Sequence, residues 1–150
     1  MADLKELENS FGIKTLNFVL LTIVTAGIYG IVWMFRFSPA MGKAAGKEVA
    51  SEVFLIWMAV CSGLSTIFAG SGEELLDIIS GLLAIAYMVI VIVFSFKAKA
   101  VLQSYAVEKH GIELRMNSFY TFLFTYFYIN YCFNDIPNVK AQQEILSRQA

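Results

Sequence analysis

Residues 53–96 read VFLIWMAVCSGLSTIFAGSGEELLDIISGLLAIAYMVIVIVFSF. Two apolar runs, 53–69 and 78–96, enclose a short stretch that carries Glu73, Glu74 and Asp77 and no positive charge. A helix needs roughly 20 apolar residues to cross a hydrocarbon layer of about 30 Å. The stretch therefore predicts two transmembrane helices joined by a tight acidic turn. Ser71 with Glu74 fits a capping box for the second helix. Glu73, Glu74 and Asp77 complement the positive end of its dipole.

Outward from this hairpin, the charges divide the whole chain. No Asp, Glu, Lys or Arg occurs in residues 15–35, 53–72, 78–96 or 116–134, runs of 21, 20, 19 and 19 residues. Four membrane segments follow from this spacing. The composition agrees: 58% of the 150 residues are hydrophobic and 15% are charged, against about 25% charged in a soluble domain. The length suits one domain. Its parts read as a polar segment (1–14), a membrane domain (15–135) and an amphipathic tail (136–150).

Both central helices are expected to run past the bilayer on the side away from the acidic turn. Ser38 as N-cap with Pro39 as the first helical residue would start the first of them early. The second continues through Lys97, Lys99 and Tyr105 to His110-Gly111, where glycine suits a helix stop. Residues 78–109 would then form a rod of roughly 48 Å. A proline at 137 similarly suits the start of a short helix in the tail, with Val139, Ile145 and Leu146 partly on one side.

The first and fourth segments are less regular. Thr25-Ala26-Gly27 and Gly30 interrupt the first, and the fourth carries nine aromatics between Phe119 and Phe133 around Thr125 and Asn130. Two readings stay open: kinked spans, or re-entrant hairpins that enter and leave on one face. The positive-inside rule puts the acidic turn outside and 36–52 and 97–115 in the cytoplasm. With four full spans, seven of the 11 Lys and Arg are cytoplasmic. With two re-entrant segments all of them are, which favours re-entry. In both segments a Tyr follows a central Thr, and a Pro comes later, yet so short a match does not establish a repeat.

The most distinctive string is Thr25-Ala26-Gly27-Ile28-Tyr29-Gly30-Ile31-Val32-Trp33, with Arg36 beyond it. Gly27 and Gly30 permit positive φ or close backbone approach, and Tyr29 and Trp33 share one helical face. The string resembles the Thr-x-Gly-Ile-Tyr-Gly-x-x-Trp motif of a family of small, mostly bacterial integral membrane proteins classed as a domain of unknown function. A looser correspondence links Tyr128, Asn130, Tyr131 and Asn134 to the pattern in that family's last segment. The resemblance extends over about 14–135 and implies a compact domain in a bacterial inner membrane. It implies no activity.

Small residues recur at four-residue spacing. Gly42, Gly46 and Ala50 would line the extension of the first central helix, and Ala59, Gly63 and Ser62, Thr66, Gly70 would line its span. Such rows let helices approach closely in lipid. Packing within the hairpin, against Gly81, Ala84 and Ala86, is the plain reading, and Gly42 and Gly46 are the part open to a partner or a second copy.

Several functions are disfavoured. Net charge is −1, so nothing draws the chain to nucleic acid. Cys61 and Cys132 lie inside apolar runs and suggest no disulfide framework. A lone histidine, His110, cannot build a multi-His metal site, and no cofactor is expected. Acidic residues among the first 14 argue against a secretory signal. The apolar segments hold no acid, base or histidine, which disfavours ion-coupled transport. A Ser95 dyad with Lys97 or Lys99 is better read as lysines at the interface. The fold class expected is an all-α membrane protein: a central hairpin with long cytoplasmic extensions, flanked by two broken segments. The function expected is non-enzymatic, binding or regulating another membrane component through those extensions. The alternative is a homo-oligomeric pore or lipid transporter, which a polar path at Thr25 and Asn130 would favour. Membrane lipids are partners in either case.

Overall fold

The computed structural model describes residues 2–149. In chain order its helices are α1 (Ala2–Phe11), α2 (Thr15–Val24), α3 (Ile28–Ala45), α4 (Glu52–Phe68), α5 (Glu74–His110) and α6 (Ser118–Gln149), and no strand occurs among the described residues. The chain is all-α.

The expected central hairpin is α4 and α5. Ser51 caps α4 by accepting from Phe54 N at 3.3 Å. Farther along, Ser80 Oγ donates to Ser65 O at 2.8 Å and ties the pair together. Leu55, Met58 and Cys61 are the buried residues of α4. By length and composition α5 is the described helix able to cross a membrane, and α4 is a shorter apolar helix. The 37 residues of α5 span about 55 Å. It ends as its sequence predicts: Gly111 adopts φ 64°, and Ile112 N and Gly111 N donate back to Ala106 O and Val107 O. A chain in this left-handed turn satisfies the last carbonyls of a helix.

Of the other elements, α3 and α6 pack against the C-terminal half of α5, and α1 and α2 pack in turn on α3 or α6. Val91, Phe94, Ser95, Ala98, Val101, Leu102, Tyr105 and Ala106 are buried there, whereas Ser80 is the one buried residue between 74 and 90. Leu75, Ile78, Leu82, Ile85 and Met88 stay exposed. Residues 111–117 form an extended strap along the base. Ile112, Leu114 and Met116 face inward and the residues between them outward, the period-two pattern of extended chain. Gln103 Nε2 holds this strap by donating to Leu114 O at 2.9 Å.

Several expectations are corrected. Ser38-Pro39 does not begin a helix: Pro39 lies inside α3, and α4 starts only at Glu52. Ser38 Oγ instead donates to Ala50 O at 2.9 Å and accepts from Ala50 N at 3.1 Å, stitching the 46–51 loop to α3. Gly46, at φ 65°, ends α3, so Gly42, Gly46 and Ala50 share no helix face, and only α5 has a long extension. No capping box forms at the acidic turn. Ser71 Oγ accepts from Glu73 N, while Asp77 Oδ1 accepts from Gly70 N at 3.0 Å. Pro137 begins no separate tail helix, since α6 runs through it. Gly63 and Gly81 face open space rather than a closely packed partner helix.

On the base, Lys47 Nζ pairs with Glu108 Oε1 at 2.9 Å and also donates to the Ser104 hydroxyl. The Lys47 and Ser104 hydrogen bonds hold the Glu108 carboxyl below its usual range. What this pair adds to stability is present above the ordinary carboxylate range and is lost as pH falls through the lowered folded value. Both partners are half exposed, and such a pair contributes little.

Candidate functional site: the paired hairpins

Each broken segment folds back on itself. In the first, Thr25 Oγ1 donates to Leu21 O at 2.7 Å and accepts from Tyr29 N at 3.0 Å, closing α2 and opening α3. Gly27, at φ 90°, supplies the left-handed turn, with its N–H donating to Thr22 O at 2.8 Å. Ala26 sits beside it at φ 50°. Phe18 of α2 then meets Tyr29 and Trp33 of α3 at ring distances of 6.0 and 5.1 Å, so the two helices run antiparallel.

The second hairpin is built within α6. Thr125, at φ 46° and ψ −125°, breaks the helix. Asn117 N donates to Tyr128 Oη at 3.1 Å. A straight helix would separate residues 11 apart by about 16 Å, beyond the reach of that tyrosine, so the short arm lies against the long one. Asn117 Oδ1 also caps the short arm by accepting from Phe119 N at 2.8 Å. The layouts match: short arm, threonine at the break, long arm with an internal proline.

The hairpins meet. A Cβ added at Gly30 would lie 2.8 Å from Tyr126 Oη, so α3 and the long arm of α6 touch where Gly30 has no side chain. Phe18 fills the space beside this contact, with Tyr126 at 5.8 Å and Phe127 at 5.2 Å. Tyr87 and Ile90 of α5 pack against the core that contains Tyr126. Beyond the contact the tips are apolar and exposed: Ile23, Val24 and Ile28 on one, Phe122, Leu123 and Phe124 on the other.

At the other end α1 and its linker close the pair. Phe11 packs on Phe37 and Phe133 at 4.9 and 4.7 Å, joining α3 to α6. Trp33 Nε1 donates to Phe11 O at 3.0 Å, and Asn134 Nδ2 donates to Ile13 O at 2.8 Å. The two singled-out motifs thus grip one short linker from two sides. Asn134 also donates to Asn130 Oδ1 at 3.2 Å.

Thr25, Gly27, Tyr29, Gly30 and Trp33 thus form the first hairpin, and Tyr128, Asn130 and Asn134 the second. Tyr131 stacks on Tyr128 at 6.4 Å and is exposed. Arg36 faces outward on α3, apart from this cluster. Gly42 and Gly46 line a separate groove of about 620 Å³ between α3 and α4, together with Phe35, Lys43 and Ile56. Thr25 and Asn130 are not brought together; each is bonded within its own hairpin. Among the described residues no charged side chain is buried, no cluster of three metal-ligating side chains occurs, and both cysteines are free.

The sequence reading missed Phe11, Phe18 and Tyr126. Phe11 lay in a segment set aside as polar, although Leu4, Leu7 and Phe11 recur at helical spacing.

Asn130 Nδ2 is buried with no hydrogen-bond partner. A buried unpaired donor carries its full desolvation cost, and an apolar residue of the same shape removes it. Asn130→Leu is therefore expected to change stability by less than about 1 kcal/mol in detergent unfolding. A loss of several kcal/mol would show that the amide has a partner that matters.

No curated protein matches the chain, and no solved structure does. A family described as "Domain of unknown function (DUF4234)" matches residues 14–104, which include the first hairpin and most of α5 but not the second motif. The chain belongs to that family.

Proposed function

We propose that this protein is an integral component of a bacterial inner membrane with a non-catalytic role: it binds, assembles or regulates another membrane component. In this reading α4 and α5 cross the bilayer with the acidic turn outside. The two hairpins re-enter from the cytoplasmic side, and the base carries the partner surface. The observation that carries the reading is where the packing on α5 ends: its continuous buried face begins at Val91, and Tyr87 and Ile90 lie partly buried against the core that holds Tyr126. Tyr87 is the midpoint of the charge-free run 78–96. Hairpins packed against α5 up to that level go about halfway into the layer that α5 crosses, and they keep both chain ends on one side.

The polar groups of the hairpins support a scaffold role. Thr25, Trp33, Asn117 and Asn134 all hold backbone atoms in place. On the base, Val107, Ile145 and Leu146 are exposed and available to a protein partner.

Reporters fused at either terminus are expected to read cytoplasmic. A cysteine placed at Gly72 should be labelled from the periplasm, and one at Val24 from neither side. A periplasmic C-terminal reporter, or periplasmic labelling at Val24, overturns the topology. Purification in native lipid then tests the role. A stoichiometric second protein is expected, whereas a homogeneous homo-oligomer with lipid alone transfers the case to the pore.

A further inference from the structure

The packed part of the molecule stops abruptly along its two longest apolar helices. On α4 the buried residues are Leu55, Met58 and Cys61, with none from 62 to 68. On α5 they run from Val91 to Ala106, and Ser80 alone is buried before that. Four hairpin arms thus stand along one half of the α4–α5 pair, with α3 against both helices, α6 against α5 and α2 behind them, and the other half stands as two bare helices. A helix about 10–12 Å across occupies about 80–110 Å² in cross-section, so four arms add about 300–450 Å² on one side of the midpoint. Six helices on one side face two on the other.

From this asymmetry we propose that the protein acts as a one-leaflet wedge that recognises or induces membrane curvature. The inference rests on the topology proposed above. The arms expand the leaflet they enter and leave the opposite leaflet nearly untouched, which costs least where the hairpin-bearing leaflet is convex. The ligand is therefore the bilayer itself, selected by its shape. The tips are chemically suited to this task. Ile23, Val24, Ile28, Phe122, Leu123 and Phe124 are all exposed and apolar, and none belongs to the aromatic core that pairs the hairpins. The wedge is also stiff, because Gly30 against Tyr126 and Phe18 between the arms join both hairpins into one body.

The test is reconstitution of the full chain into small, strongly curved and large, nearly flat phospholipid vesicles, with a protease-sensitive tag at the C-terminus. Chains with the hairpins in the outer, convex leaflet expose the tag. The ratio of exposed to protected tag is expected to be about twofold or more higher in the small vesicles. Two variants, I23S/V24S and F122S/L123S/F124S, keep the mass outside the membrane and withdraw one tip each. Each is expected to lose a large part of the size dependence while Trp33 fluorescence, read in a Trp57→Phe background, stays unchanged. A ratio independent of vesicle size, or variants that keep the full bias, overturns the wedge and leaves the half-depth topology standing. Labelling of a cysteine at Val24 from the far side overturns both.

Discussion

Replacing Trp33 with alanine is expected to lower stability by about 3–5 kcal/mol, the range for emptying a large aromatic site in a packed interior. Trp33 is 2% exposed and lies against Phe11, Phe18 and Phe37 at ring distances of 6.0, 5.1 and 4.7 Å. It therefore joins α1, α2 and α3 at once, and its loss also strips the Phe11 carbonyl of its donor. Trp33→Phe separates the two contributions. It keeps part of the ring contacts and removes the N–H together with the five-membered ring, so a loss of about 1–3 kcal/mol is expected from the orphaned carbonyl plus a packing loss smaller than that of alanine. Equilibrium unfolding in mixed detergent reads both variants. Equal losses for Phe and Ala would assign the whole effect to the hydrogen bond and deny the aromatic packing its role.

Gly30→Leu is the second large effect. Its Cβ would stand 2.8 Å from Tyr126 Oη and 3.0 Å from Cζ, and the rest of the side chain would need space that Tyr126 occupies. Tyr126 is itself buried and bounded by Phe18 and Phe127, so it has little room to turn. Overpacking of this kind costs about 1–3 kcal/mol. The double variant Gly30→Leu/Tyr126→Ala should recover part of that loss, because the second change vacates the contested volume. Gly63→Leu and Gly81→Leu serve as controls at open positions and should leave stability nearly unchanged. An equal loss at all three glycines would point to a general sensitivity rather than to contact between the hairpins.

The sequence carried the large divisions of this fold because they follow from local chemistry. Charge-free runs of 19 to 21 residues mark where helices can be apolar throughout, and α4 and α5 lie where two of them fall. Gly111 ends α5 because a left-handed residue is what a helix terminus needs there. Thr25-Ala26-Gly27 marks a break for the same reason. Ser38-Pro39 and Ser71-x-x-Glu74 show where local reading fails. Both match a capping pattern, yet the Ser38 hydroxyl is taken by Ala50, and Asp77 draws the turn backbone to itself. Nothing within four residues of either serine reveals those competitors.

The site was legible residue by residue but not as an assembly. Trp33 and Asn134 stand out in the sequence, the first in a distinctive string and the second in an aromatic one. Their common hold on the linker after α1 joins positions more than a hundred residues apart, and no periodicity encodes such a meeting. The contact of Gly30 with Tyr126 is equally remote. A missing side chain in one segment and a hydroxyl in another become complementary only once both hairpins have folded.

That remoteness also sets a timetable for synthesis. Asn134 reaches back across 121 positions to Ile13, and Tyr126 must arrive before the space at Gly30 is filled. At about 5–20 residues per second, translation takes about 6–24 s to deliver the closing segment. Through that interval the first hairpin exists without its buttress, exposing Phe18 and the face of α3 that α6 later covers. The nascent chain is then most open to wrong partners. A ribosome that stalls before Tyr126 leaves a half-built domain whose opening aromatics have nothing to close upon.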